Sequence, residues 1–456
     1  MKTTRRYLLT GAASALIASP VSSRAQFADD RFAELRGSLD AIDLGMRPGV
    51  SDDQSKRLDT ILKQASAERK PVYLPAGTYT VSNLNLPEYV NLTGVAGATR
   101  LVYGGGGHLL AGENAERIQL SGLTIDGDNR WLADYADAIV QIGNTDDVVI
   151  SDCAIAGSRK NAVSLSGCGG SVTRSVISGA AMTAIYSIES KGLRIADNEI
   201  LDCANGGILV HRWKEAYDGS MVTGNRIARI AAQAGGTGQY GNGINVFRAG
   251  NVLIANNSIS DCAFSAIRSN SGSDVQIIGN QCYQSGETAV YSEFSFQGAV
   301  VANNLIDGAA NGVSIANFNE GGRLATVTGN VIRNLRTEGP YKPDGFGFGW
   351  GIGVEADIAV TGNVIDNAPR AGMLVGWGPY LRGVAATGNV IRNSAIGVAV
   401  SVVEGAAATQ ISSNIFQNTP RGAVIGFRWN ERTTADLTQT GAEQYNHLTV
   451  AGNSVL

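Results

Sequence analysis

Apolar and polar positions alternate along most of the chain in short runs. Gly207-Ile208-Leu209-Val210, Gly243-Ile244-Asn245-Val246, Gly312-Val313-Ser314-Ile315 and Gly351-Ile352-Gly353-Val354 repeat one pattern. A period of two over four or five residues predicts strands. A second segment recurs between them: VTGNVIRN at residues 327–334, with relatives starting at Val222, Val360 and Ala386. It reads as a strand stub, a Gly-Asn break and an apolar residue two positions further on.

The asparagine of that break marks a period. It falls at Asn198, Asn225, Asn257, Asn280, Asn304, Asn330, Asn363, Asn389, Asn414 and Asn453, with Leu123, Cys153 and Ser175 in degenerate copies. The base spacing is 22 to 26 residues, with insertions up to 39. Leucine-rich repeats need an L-x-x-L-x-L frame that is absent, and propeller blades need about 40 residues or more. Three short strands per copy predict an all-β parallel β-helix, a solenoid of about 13–14 coils. The corner between two strands needs a residue at positive φ, which asparagine tolerates. Stacking also brings successive amides to about 4.8 Å, close enough to bond in a ladder.

Both ends depart from the period. In SDDQSKRLDTILKQASAERK, Leu58, Ile61, Leu62 and Ala65 have helical spacing, with Asp52 or Asp53 available as cap. This helix is expected to seal the first coil. PVYLPAGTYTV (Pro71 to Val81) predicts strand, turn and strand, and the polar stretch Thr433 to Tyr445 a loop over the last coils. The whole reads as one domain over 26–456, with cap and first coils at about 38–110, regular coils at 111–430 and a final loop and strand at 431–456.

Composition narrows the class. The 58 glycines and the 17% charged residues suit many tight turns, and a net charge of −4 leaves no basic face for nucleic acid. Lys2, Arg5 and Arg6 precede an apolar stretch from Leu8 to Val21 that is short for a bilayer span, followed by a small-residue cleavage site ending at Ala25. Residues 1–25 are therefore expected to be a removable export signal, leaving no transmembrane segment in the mature protein. Thr4-Arg5-Arg6-Tyr7-Leu8-Leu9 resembles the twin-arginine signal, which implies the twin-arginine translocation machinery as a partner and a periplasmic or secreted product. The five cysteines, Cys153, Cys168, Cys203, Cys262 and Cys282, contain no C-x-x-C and read as small core residues.

With these motifs in place, DDQ…PVYLPAGTYTV resembles the N-terminal cap of pectate-lyase-like proteins, and the TGNVI copies resemble their coil repeat. The whole chain resembles a family of twin-arginine-exported β-helix repeat proteins of uncharacterised function, within the right-handed parallel β-helix superfamily. The resemblance implies relatives among polysaccharide lyases, glycoside hydrolases and uronate epimerases. The paired-Asp and His-Gly signatures of several such enzymes are missing, so no catalytic residue carries over.

Candidate chemistry follows from register. In each Gly-Ile-x-Val-x strand the x positions point outward. One column then reads Tyr186, Leu209, Asn245, Arg268, Tyr291, Ser314, Gly353 and Leu374, and the next contains His211, Phe247, Asn270, Glu293, Ala316 and Glu355. Arg212, Arg248 and Trp377 lie just beyond. Insertions at 211–220, 230–242 and 335–350 are expected to wall this strip, as solenoid insertions cluster on one face. Glu293 and Glu355, two coils and about 10 Å apart, fit an acid and a base of inverting glycoside hydrolysis. Arg268 and Tyr291, on adjacent coils, fit neutralisation of a uronate and removal of its α-proton. His211, Arg212, Asn245, Arg248 and Trp377 are the expected substrate contacts.

Other motifs carry less. Gly104 to Gly107 lacks the Lys-Ser/Thr of a phosphate loop, GFGFGWG enters a strand, and His108, His211 and His447 are far apart. No cofactor is identified. The sequence therefore predicts a polysaccharide lyase, epimerase or hydrolase. The rivals are a non-catalytic glycan- or protein-binding scaffold of the envelope and an exported carrier of an unknown cofactor.

Overall fold

A computed structural model of the chain describes residues 37–236, 238–316, 323–343 and 345–456. The expected export signal, with Arg5, Arg6 and Ala25, lies outside the described residues. Leu39–Leu456 forms one compact unit.

Each copy of the repeat makes one coil of three strands. A corner-leading strand such as Arg323–Thr328 runs into the Asn break, a corner-following strand such as Val331–Arg333 leaves it, and a third, such as Trp350–Val354, is flanked by loops at both ends. Stacking gives a corner-leading sheet of 16 strands and two sheets of 15, parallel throughout except for one terminal pair. The stack exceeds the expected coil number because the cap region already coils: Val72–Leu74, Gly77–Val81 and Leu84–Leu86 each join a different sheet.

The core is a set of aligned side-chain ladders. On the loop-flanked sheet, Ile208, Ile244, Ile267, Val290, Val313, Ile352, Met373 and Val398 stand opposite one another. All are fully buried or nearly so. On the corner-following sheet Ile227, Ile259, Cys282, Ile306 and Ile332 do the same, so Cys282 occupies an isoleucine position. All five cysteines are buried free thiols, as expected of core residues. Glycine at the opening of some loop-flanked strands answers a close approach, since a Cβ on Gly207 would come within 2.2 Å of the Gly243 carbonyl oxygen, whereas Ala266 and Ala289 hold the same place in other coils.

The asparagine ladder forms, by a different route from the one expected. No ladder asparagine has positive φ among the described residues. The residue before it does, including Gly224 (67°), Gly329 (65°) and Asp197 (59°). The glycine of T-G-N therefore turns the corner and frees the asparagine to point inward. From Asn198 to Asn453, each side-chain Nδ2 donates to the next Oδ1 at 2.9–3.0 Å. Each Oδ1 also accepts the preceding asparagine's backbone N–H, as Asn304 does from Asn280 at 2.9 Å. Buried corner groups are thereby satisfied without water. Ser175 keeps half of the device, accepting from the Cys153 N–H at 3.2 Å.

The helix Ser55–Glu68 buries Leu58, Ile61, Leu62 and Ala65 as the spacing predicts. Its cap is Gln54, which makes no side-chain capping bond, so neither Asp52 nor Asp53 is the cap. Asp53 accepts from the Ser55 N–H at 2.9 Å, and Asp52 pairs with Arg47. At the far end the expected loop contains a strand, Glu431–Asp436, which pairs antiparallel with Val424–Arg428.

Removing one rung tests the ladder. Asn304→Ala strips the acceptor from two Asn280 donors and the donor from the Ile277 carbonyl, a loss of about 3 kcal/mol. Thermal melting should show a clear fall for Asn304→Ala and a smaller one for Asn304→Ser. A midpoint unchanged in the alanine variant would rule out the ladder as a source of stability.

Candidate functional site

The loop-flanked sheet carries the candidate site, and its register is the expected one. Leu209, Asn245, Arg268, Tyr291, Ser314, Gly353 and Leu374 are successive partners, as are His211, Phe247, Asn270, Glu293 and Ala316. Glu355 directly follows the strand Trp350–Val354.

The middle of the strip is covered, which its sequence pattern does not indicate. Arg268, Glu293, His211 and Asn245 are all buried, at 7%, 3%, 5% and 3% exposure. Arg268 donates to Glu293 through Nε and Nη2, both at 2.7 Å, and Asn270 adds a third bond to the same oxygen at 3.0 Å. Glu287, from the turn entering the strand Thr288–Glu293, brings a second buried carboxyl, its Oε2 3.9 Å from Arg268 Nη1. Neither of these two atoms has a hydrogen-bond partner. Tyr341, from the 335–350 insertion, donates its hydroxyl to Glu287 Oε1 at 2.5 Å. Burial pushes the Glu287 carboxyl above the usual carboxylate range, so it holds its proton further up the pH scale.

This geometry revises the expected chemistry. A carboxylate acting on substrate must reach it, and Glu293 is locked in a buried ion pair, so the Glu293–Glu355 acid–base pair loses one member. Arg268 is already neutralised and cannot serve as a free uronate receptor. Burial, and then the charge of Glu293, push the Tyr291 hydroxyl upward, which disfavours it as a base at neutral pH. Truncating one partner of such a pair leaves a buried charge, so Arg268 and Glu293 hold structure.

The expected substrate contacts divide. Arg212 binds Glu189 at 2.7 Å and the Ser190 carbonyl at 3.1 Å, and Arg248 donates to the Trp213 carbonyl at 2.8 Å while lying over the Phe247 ring. Arg212 ties the irregular segment between His211 and Ala216, where the pairing register shifts, to the neighbouring coil, and Arg248 bonds to that segment at Trp213. They support a loop. His211 and Asn245 remain at the site, joined at 2.8 Å, and line a cavity of about 170 Å³ with Gln239, Phe247, Arg268 and Asn270. Trp377 also remains, packed edge-on against Trp429 at 5.3 Å.

On the other side of the ion cluster lies a more open cavity of about 460 Å³. Its floor is Thr288, Asn311 and Ser314, and its walls include Tyr291, Tyr341, Phe346, Trp350 and Trp377. The loop wall is self-supporting: Trp350 Nε1 donates to the Gly347 carbonyl at 2.9 Å, and Tyr341 packs on Phe348 at 5.4 Å. Glu287, Tyr341 and Trp350 are absent from the sequence-based site. Glu287 lies just outside the alternating run, where period-two reasoning assigns no direction, and the insertion's fold has no repeat to read. Among the described residues no group of His, Cys, Asp and Glu could hold a metal ion.

The fold and the sequence agree on the family. The family model described as "Right handed beta helix region" matches residues 109–235 and 216–416, more than half of the chain, so the chain belongs to that family. The N-terminal fragment of bacteriophage phi29 gene product 12 is similar at 15% identity and a TM-score of 0.53, over 95% of this chain and 73% of that one. The pre-mature form of gene product 12 gives 13% and 0.51, over 88% and 68%. The A-module of a mannuronan C-5 epimerase from Azotobacter vinelandii gives 14% and 0.45, over 92% and 99%. These are likenesses of fold alone. No curated protein sequence matches the chain.

The buried imidazole has a measurable consequence. Burial, partly offset by the Asn245 bond, lowers His211 from 6.5 to about 4. The unfolded chain therefore takes the proton first, and this residue's stabilising contribution is intact above pH 6.5 and lost as pH falls towards 4. Wild type should lose about 3 kcal/mol more stability than His211→Gln between pH 7 and 4. Denaturant titrations at the two pH values check this, and equal losses would show that His211 is not held neutral.

Proposed function

We propose that the chain binds a glycan along the outer face of the loop-flanked sheet, in the groove bounded by the 335–350 insertion. What supports this is the lining of the larger cavity: flat aromatic walls from Tyr291, Tyr341, Trp350 and Trp377 over a floor of hydroxyl and amide groups from Thr288, Asn311 and Ser314. A sugar ring presents an apolar face and a rim of hydroxyls, which this combination matches. The reading favours binding over lysis or epimerisation because Arg268 is buried and already neutralised by Glu293.

One observation favours chemistry as well. Glu287 is the only carboxyl lining the larger cavity among the described residues, and its proton is held more tightly than usual. Any hydrolysis would fall to Glu287, which is as buried as Glu293 but, unlike it, lines the larger cavity, as the acid that protonates a leaving oxygen. Export through the Arg5–Arg6 signal belongs to the same proposal, since it places the groove where envelope polysaccharides are. Lysine at both positions should leave the precursor in the cytoplasmic fraction. Processing and export as in wild type would remove the twin-arginine route.

The groove is tested with the mature chain on a panel of neutral and acidic polysaccharides, by affinity electrophoresis and by assay of new reducing ends. At least one polymer should retard the protein, with Trp350→Ala weakening binding about tenfold or more. Glu287→Gln should keep the retardation and abolish any reducing-end release. Retardation by none of the panel, or equal retardation of Trp350→Ala, would overturn the glycan reading.

A further inference from the structure

Two turns that open loop-flanked strands carry arginines two coils apart. Arg370 precedes Ala371–Val375, and Arg421 precedes Val424–Arg428. The coil between them is bonded to both: the Arg370 carbonyl accepts from the Ile396 N–H at 3.2 Å, and the Arg421 N–H donates to the Ala395 carbonyl at 2.9 Å. Strand spacing puts their backbones about 10 Å apart. Arg432 joins them from the terminal hairpin strand Glu431–Asp436. The three arginines, with Asn430, Phe346 and Phe427, line an open cavity of about 680 Å³.

No acidic side chain lines this cavity among the described residues, and none of its three arginines forms an ion pair there. Arg432 Nε reaches only the Thr434 carbonyl, at 3.2 Å, and the Arg370 guanidinium rests against Gly347. Several arginines elsewhere on the solenoid do meet a carboxylate. Arg174 meets Asp152 at 2.8 Å, Arg333 meets Asp307 at 2.9 Å and Arg392 meets Asp366 at 3.1 Å, each a carboxylate one coil away. All three arginines are exposed, and around one cavity with no acidic lining they are free to converge on an anion from outside. A guanidinium presents paired donors matched to a tetrahedral or planar oxyanion. Phe346 and Phe427, edge to face at 5.5 Å, supply an apolar wall beside them.

We infer that this cavity binds an oxyanion ester, a sulfate or a phosphate, carried on an organic group that rests against Phe346 and Phe427. The inference does not rest on the glycan reading: the two cavities share Gly345 and Phe346, but the three arginines that carry it lie outside the aromatic groove.

The test titrates the full mature chain calorimetrically with dextran sulfate, with inorganic polyphosphate and with neutral dextran, at low and at high salt. At least one polyanion should bind saturably and more weakly at high salt, while neutral dextran does not bind. The double variant Arg370→Ala/Arg421→Ala should weaken that binding by about tenfold. Arg174→Ala/Arg229→Ala, which changes net charge equally on another face, should shift it by less than about twofold. If the first double variant melts abnormally, Arg432→Ala on the exposed hairpin replaces it. Binding of only one polyanion tells sulfate from phosphate as the anion recognised. Binding of neither, equal binding of neutral dextran, or equal weakening by the two double variants would overturn the inference.

Discussion

Everything in this molecule depends on coils lying in register, and the asparagine ladder makes each coil recognise the next at its sharpest bend. A corner in a β-helix carries backbone groups that point into a dry interior, where an unmet donor costs as much as a lost core contact. Each Asn amide meets two such needs, and it is itself met by the asparagine of the neighbouring coil. The ladder thus converts a local difficulty into a longitudinal bond. Once the corners are fixed, the inward isoleucines and valines fall opposite one another and the outward side chains form straight columns. The site is a consequence of that alignment.

Much of this was legible in the chain because repetition amplifies weak signals. One Gly-Asn pair means little, but its recurrence located the strands, the corners and the two outward columns. Counting outward from each Asn brought Arg268, Tyr291 and Glu293 into one cluster, and the structure keeps them together. Two things were not legible. Which residue of Gly-Asn takes the left-handed conformation depends on where the amide must point, and a propensity for positive φ does not carry that information. Burial of Arg268 and Glu293 comes with a neighbour, Glu287, whose hydroxyl partner Tyr341 sits in an insertion with no counterpart in other coils. Glu287 escaped for a related reason, since it stands one residue before the alternation begins.

The buried cluster also shows how a solenoid builds a site. Its strands alone give a flat, wet face, on which an arginine and a glutamate interact weakly. Loops inserted at 230–242 and 335–350 dry the centre of that face, and the same side chains become a rigid, charge-matched septum with a cavity on either side. The aromatic groove and the arginine cavity then differ in character although they share Phe346.

The terminal hairpin bears on how such a face changes over evolutionary time. The strand Glu431–Asp436 runs against the direction of every other strand and occupies the last hydrogen-bonding edge of the loop-flanked sheet. A further parallel coil would meet a strand of opposite direction on this sheet, although the other two sheets go on in the parallel sense through Leu448–Ala451 and Ser454–Val455. Duplication within the stack lengthens this face while moving the hairpin outward intact. The spacing between Arg370 and the aromatic groove would be preserved or doubled by whole coils, never adjusted by a fraction of one.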